Sequence, residues 1–210
     1  MKKIVYVYIL DTMADWELGY VMSSINMKLK SNGNKAKYCL KTVSSSRDPI
    51  HTLGGLTIIP DCSVDEIIKN DMVAILLPGA DTWDDSRQKR ILKKIKTYID
   101  EDILVAAICG ATLALANLGI LNKYLHTSNS VEYLSYFSKL YTGNDLYKDD
   151  ISFRDKNLIT ASSAGSLSWA KQIMEYLEII PNEMIEAWFN YYSIGDPKYY
   201  MEFLSLSEKN

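Results

Sequence analysis

An α/β domain built on a mostly parallel sheet, with helices on both faces, is the fold this sequence predicts. Strand-like and helix-like segments alternate along the chain, the pattern of parallel strands joined by helical crossovers. Residues 4–10, 72–77 and 103–108 are continuous apolar runs, as strands buried on both faces require. The 210 residues, 48% of them hydrophobic, suffice for one well-buried domain and are short for two, so residues 1–210 read as a single domain.

Each element has a local reason. Residues 4–10 (IVYVYIL) form the first strand. Asp15 is placed to cap a helix running to about residue 30, with Trp16, Tyr20, Ile25 and Leu29 as its apolar positions. Residues 31–34 (SNGN) are a turn, 35–43 a second strand and 44–49 a loop. Residues 50–59, interrupted by Gly54 and Gly55, read as a β-hairpin. Ser63 and Glu66 have capping-box spacing and open a short helix to Lys69. The strand at residues 72–77 closes on Pro78, Gly79 and Ala80. Residues 86–99 form an amphipathic helix with Ile91, Leu92, Ile95 and Ile99 on one face and basic residues on the solvated side. A strand at 103–108 leads through Cys109, Gly110 and Ala111 into a short helix at 112–118, closed by Gly119. Residues 125–128 read as a short strand and 131–140 as a helix. Short strands at 149–153 and 158–161 flank a turn at 155–157. A helix over 167–180 ends at Pro181. Two further helical pieces, 183–192 and 198–206, are split by Gly195, Asp196 and Pro197, so residues 181–210 are a helical extension.

Composition narrows the function classes. The formal net charge is -3 and there is no basic block, which argues against nucleic-acid binding. No apolar run approaches membrane-spanning length. Lys2 and Lys3 precede an apolar run, but Asp11, Asp15 and Glu17 follow with no small-residue cleavage site, so a strand is expected rather than a signal peptide. Cys39, Cys62 and Cys109 are odd in number and lack metal or disulfide spacing. Free thiols in a reducing cytoplasm are expected, with no metal and no cofactor. Aromatic residues, among them Trp188, Tyr191, Tyr192 and Tyr200, crowd the last quarter of the chain. They suit a helical lid, an oligomer contact or the ordinary packing of appended helices.

Cys109 is the candidate nucleophile. A nucleophile elbow needs a strand, a sharp turn bearing the reactive side chain, small neighbours and a following helix. Ala107, Gly110 and Ala111 are small, and the helix after them points its N–H groups and positive dipole end at the sulfur. That arrangement is expected to lower the thiol pKa. A buried structural cysteine is the plainer alternative. Parallel sheets place their sites at the carboxyl ends of strands. Three such ends are Asp15–Leu18 with its Glu17, the loop of Pro78, Gly79 and Ala80, and Cys109 with Gly110. Gly79 and Gly110 can offer backbone N–H groups to an oxyanion. Glu17 can hydrogen-bond the sulfur, or can be an exposed first-turn acid suited to the helix dipole.

Residues 73–80 (VAILLPGA), 106–111 (AAICGA), 118–121 (LGIL) and the pair Thr127-Ser128 resemble the ThiJ/PfpI superfamily, of the class I glutamine amidotransferase-like fold. Residues 161–166 (ASSAGS) and the helix carrying Trp169 are similar to its closing loop and helix. The resemblance covers roughly residues 1–180, and the elbow is its most specific feature. It implies a flavodoxin-like three-layer sandwich, usually a homodimer, and a small-molecule substrate. It also implies an acid beside the cysteine, mapping onto Glu17, and backbone donors at Gly79 or Ala80 and at Gly110. The chain departs from the pattern in one place. Many members carry a histidine after the Thr-Ser pair, where this chain has Asn129. Asn129 can position a substrate or water but cannot shuttle a proton. His126 is the remaining candidate base, but an odd offset along an extended segment turns it to the opposite face. His51 reads as a surface or packing residue. Cys62, ahead of the capping box, reads as an accessible thiol without an elbow.

Two function classes follow, with a third behind them. One is a cysteine hydrolase of amidase, peptidase or glyoxalase type, with Cys109 as nucleophile and Glu17 as its partner. The absence of a synthetase-like domain argues against efficient transamidation. The other is a redox or stress-response protein whose elbow thiol is oxidised, a role that needs no histidine. A binding protein that kept the fold without turnover is the third.

Overall fold

The computed structural model describes residues 2–28, 33 and 35–209. Along the chain run β1 (Ile4–Tyr8), α1 (Asp15–Ile25), β2 (Cys39–Ser44), β3 (Ile50–His51), β4 (Thr57–Ile58), β5 (Cys62–Ser63), β6 (Met72–Leu77), α2 (Lys89–Asp100), β7 (Leu104–Ile108), α3 (Gly110–Asn117), α4 (Val131–Phe137), β8 (Ser152–Asp155), β9 (Leu158–Ala161), α5 (Ser166–Leu177), α6 (Asn182–Ile194) and α7 (Pro197–Lys209). Seven strands form one sheet in the order β5-β2-β1-β6-β7-β9-β8. All neighbours are parallel except β8, which returns antiparallel to β9. Every residue of β1 and β7 is buried, as their unbroken apolar sequences demand. The expected three-layer α/β sandwich is what these elements build. Helices α1, α5, α6 and α7 pack in succession, while α2 and α3 lie on β7 and α3 meets α4.

The chain steps from β1 outward to β2 and then crosses back to β6 on the other side of β1. This reversal opens a crevice at the carboxyl ends of β1 and β6, the place where open α/β sheets bind their ligands. The loops after β1 and β6 are tied together there: Ala14 N–H donates to Gly79 O at 3.0 Å, and Thr82 Oγ1 to Asp11 O at 2.7 Å.

Several expected elements differ. Asp15 is the first helical residue rather than the cap; Ala14 is the N-cap, and the Asp15 carboxylate accepts from Gly54 N–H at 2.6 Å, pinning the hairpin of β3 and β4 to α1. Trp16 is 56% exposed, and α1 instead buries Glu17, Leu18, Val21, Ser24 and Ile25. Leu29, Lys30 and the 31–34 turn, Gly33 apart, lie outside the described residues. The second strand begins only at Cys39. Glu66 does bind Ser63, accepting from its N–H at 2.8 Å and its hydroxyl at 2.9 Å, but opens a single 3-10 turn, Val64–Glu66. Cys62 is buried on edge strand β5, not accessible. Residues 125–128 form no strand; His126 makes one isolated bridge to Tyr147. Among the described residues, no helix is long and apolar enough to cross a membrane.

Candidate active site

Cys109 joins β7 to α3 with φ 56° and ψ -124°. A side chain in this region of backbone space costs about 1–3 kcal/mol and persists only where the surroundings enforce it. They do. Cys109 N–H donates to Ala161 O at 2.9 Å, and its carbonyl accepts from Thr112 N–H at 3.0 Å and Thr112 Oγ1 at 2.6 Å. Because that carbonyl can only accept, the Thr112 hydroxyl proton is used there. Ser128 Oγ, 2.6 Å from Thr112 Oγ1, is therefore the donor of that pair. The elbow thus leans on β9 below and on the 127–129 segment beside it.

Glu17 enters from the first turn of α1, fully buried. Its Oε2 accepts Gly79 N–H at 2.6 Å. Its Oε1 is buried and, among the described residues, has no hydrogen-bond partner within bonding geometry. Gly79 is the spacer between this carboxyl and the thiol. A Cβ at position 79 would stand 2.7 Å from Cys109 Cβ, 3.0 Å from Cys109 Sγ and 2.9 Å from Glu17 Oε1. Gly110 is a second spacer, on the neighbouring strand's loop, since a Cβ there would come within 2.9 Å of Ala80 O. Only glycine lets these backbones approach so closely.

Two oppositely directed influences act on each ionisable group. Burial pushes the Glu17 carboxyl above its ordinary range, while the Gly79 N–H and the nearby Cys109 thiol pull it back. Burial also pushes the Cys109 thiol up. Asn129 and the Gly110 N–H pull it down, and the Glu17 charge pushes it up again. The depressed thiol expected from the helix N-terminus is therefore not what this balance yields: desolvation is its largest influence.

Asn129 donates from Nδ2 to Cys109 Sγ at 3.5 Å, and its Oδ1 accepts Ser163 N–H at 2.8 Å. The Ser163 bond sets which end of the amide faces the sulfur. His126 is fully buried elsewhere: Nδ1 lies 2.8 Å from Tyr124 O and Nε2 2.9 Å from Tyr141 Oη. A carbonyl only accepts, so the ring proton sits on Nδ1 and Nε2 accepts from Tyr141. Burial holds the His126 imidazole below its ordinary pKa. Both nitrogens are occupied, and the structure does not bring His126 to the thiol. His51 is exposed on β3, 3.9 Å from Asp11.

The structure therefore gathers Cys109, Glu17, Gly79, Ala80, Gly110 and Asn129 and leaves out His126. The Gly79 amide is taken by Glu17, so it is not the free oxyanion donor that the sequence suggested. The supporting roles of Thr112, Ser128 and Ser163 are not readable from the sequence, where the Thr127-Ser128 pair and the ASSAGS loop at 161–166 are their only signals. Among the described residues, no cluster of three or more His, Cys, Asp or Glu could hold a metal ion.

A strained cysteine at the carboxyl edge of a parallel sheet, with a buried carboxyl beside it, defines a class of α/β proteins with a cysteine elbow. A model of the DJ-1/PfpI family matches residues 3–176, and the chain belongs to that family. The Bacillus subtilis protein named uncharacterized protease YoaZ is 35% identical over 201 residues, covering 96% of each chain. The crystal structure of a ThiJ/PfpI family protein from Bacillus anthracis superposes with a TM-score of 0.90 at 32% identity, covering 98% of both chains. A DJ-1 superfamily protein from Agrobacterium tumefaciens follows with a TM-score of 0.78 at 26% identity, over 91% of this chain and 97% of its own.

Proposed function

We propose that the protein is a cysteine-dependent hydrolase of carbonyl substrates, amides or esters, in which Cys109 is the nucleophile and Glu17 moves the proton. The observation that carries this is the placement of Cys109 Sγ and Glu17 Oε1 on either side of Gly79, with Oε1 otherwise unpartnered among the described residues. A buried carboxylate oxygen without a donor is costly, so a proton on Oε1 is the favoured state, and it faces the sulfur.

Atoms and charge balance at each step. Cys109 first gives its thiol proton to solvent; the thiolate sulfur then bonds the carbonyl carbon, and the carbonyl oxygen becomes an oxyanion held by the Ala80 and Gly110 amides. Collapse breaks the bond to the leaving nitrogen or oxygen, which takes a proton from Glu17. Glu17 then takes a proton from the water that attacks the thioester, and the second collapse breaks the carbon–sulfur bond, releasing the acid and restoring the thiolate and the protonated Glu17. Asn129 steadies the sulfur's charge without exchanging protons. The relatives named proteases support this class of chemistry.

The test is turnover of a panel of small amides, esters and α-oxoaldehydes by the native chain and by Cys109→Ser. Hydrolysis lost in the variant supports the reading; no turnover of any member overturns it. One observation favours a second reading. Asn129 stands where an imidazole would make a faster base, which suits a thiol that is oxidised rather than one that turns over. Mild peroxide would then add two oxygens at Cys109, each from one peroxide reduced to water, and intact mass reads this directly.

A further inference from the structure

A cavity of about 610 Å³ opens beside the elbow, and neither Cys109 nor Glu17 is part of its lining. Its lining includes Ala80 and Gly110, whose two amides are assigned to the substrate oxygen. Its walls are apolar and aromatic: Trp83, Leu92, Leu113, Tyr133 and Phe137. This volume lies within the roughly 300–1,000 Å³ of small-molecule sites, which are lined in the same way. The Trp83 wall is held in place, with Nε1–H donating to Pro78 O at 2.9 Å and the ring 5.4 Å from that of Tyr8. Phe137 is 58% exposed and in contact with Tyr133. Burial, then the charges of Cys109 and Asp81, hold the Tyr133 phenol above its ordinary value.

The charged lining is uneven. Asp81, Asp84, Asp85 and Lys89 border the cavity. Asp85 is bound by Arg87 at 2.9 Å, which cancels its charge locally. Among the described residues, Asp81 and Asp84 form no ion pair, and Lys89 is the one cation in the lining. An apolar cleft with surplus negative charge at its border favours a ligand that is apolar in its middle and positive beyond it.

We infer that the carbonyl substrate of Cys109 carries an apolar or aromatic group next to the reacting carbon and an ammonium or guanidinium group beyond it. The inference rests on Cys109 being the reactive group of the site, and it identifies the Trp83–Phe137 cleft as the subsite for that cationic arm.

The test is protection of Cys109 from alkylation by neutral iodoacetamide, followed by peptide mass so that Cys39 and Cys62 do not confuse the reading. 4-Phenylbutylamine is compared with 4-phenylbutyrate, the same apolar body with opposite charge. At about four times its Kd the amine slows alkylation about fivefold, as simple occupancy requires. The carboxylate protects far less, and the difference shrinks at ~1 M salt, where the Debye length is about 3 Å. Asp81→Asn with Asp84→Asn removes the preference for the amine. Removing two distant acids, Glu183→Gln with Glu202→Gln, keeps it. Equal protection by both compounds, protection by neither, or an unchanged preference in the Asp81/Asp84 variant overturns the inference. Alkylation needs only a reachable thiol. Protection without turnover of the amide and ester panel therefore sinks the hydrolase alone, and turnover without protection sinks the cationic subsite alone.

Discussion

Glu17 and His126 are both sealed from solvent, and burial moves their protons in opposite directions. Folded Glu17 holds its proton more tightly than the unfolded chain does. Its contribution to stability is full below the ordinary carboxylate range and is lost as pH rises through its raised folded value. Glu17→Gln is expected to flatten that alkaline loss, read by urea unfolding between about pH 4 and pH 8, the span of ordinary and raised carboxyl values. It should also change the rate of Cys109 alkylation; an unchanged rate refutes the pairing of Glu17 with the sulfur. His126 is the reverse case. Its contribution is present above the ordinary imidazole range and is lost as pH falls through its lowered folded value. His126→Phe leaves Tyr124 O and Tyr141 Oη without partners, at about 1–3 kcal/mol for each unsatisfied group, and removes the acid sensitivity. Activity per folded molecule should survive. A variant that keeps its stability but loses turnover would make His126 the base after all. The residue types and the odd offset of His126 from position 129 were readable in sequence. Burial, which sets both protonation states, was not.

At the scale of elements, the elbow was legible because everything it needs lies within a short window. An apolar strand, small residues on each side of Cys109 and a helix-forming run follow one another in order. Gly79 shows what such a window omits. Its role as a spacer depends on α1 and β7 meeting across it, and nothing near residue 79 announces that. Gly79→Ala drives a methyl group to within 3 Å of Cys109 and Glu17 atoms. It should cost about 1–3 kcal/mol as overpacking and change the thiol's reactivity, checked by thermal unfolding and alkylation. Gly19 is the control. It sits inside α1 with nothing among the described residues within 4 Å of its missing Cβ. Gly19→Ala should therefore raise stability by about 0.5–1 kcal/mol through helix propensity. The misread elements share a cause. β5 is two residues long, too short for any periodicity, and residues 125–128 have strand-like composition but a single bridging partner.

For the whole molecule, the aromatic C-terminal stretch folds as α6 and α7 over the helical layer. Trp188 lies edge-on to Tyr20 of α1 and tilted against Tyr192, and α6 also buries Met184 and Ile185. This is the packing of appended helices, one of the roles the composition allowed. Truncation after Pro181 should uncover Tyr20 and remove about 1.5–3 kcal/mol for each fully buried large side chain, seen as a lowered unfolding midpoint and new binding of a hydrophobic dye. A truncated chain as stable as the native one would show that the extension is a passenger. We also propose that the chain works as the homodimer implied by the family resemblance; a monomer mass in light scattering overturns this.

The amino-acid order by itself determined the alternation of strand and helix, the parallel core strands and the cysteine at a sharp turn between β7 and α3. Each is written in neighbouring residues, where periodicity and side-chain size act directly. Tertiary structure alone decided that Glu17 gives one oxygen to Gly79 and turns the other toward the sulfur. It also decided that Asn129, steadied by Ser163, reaches Cys109 while His126 is locked between two tyrosines. Those contacts join loops from four strand ends, and which of them meet depends on strand order and burial, which no local stretch of sequence encodes.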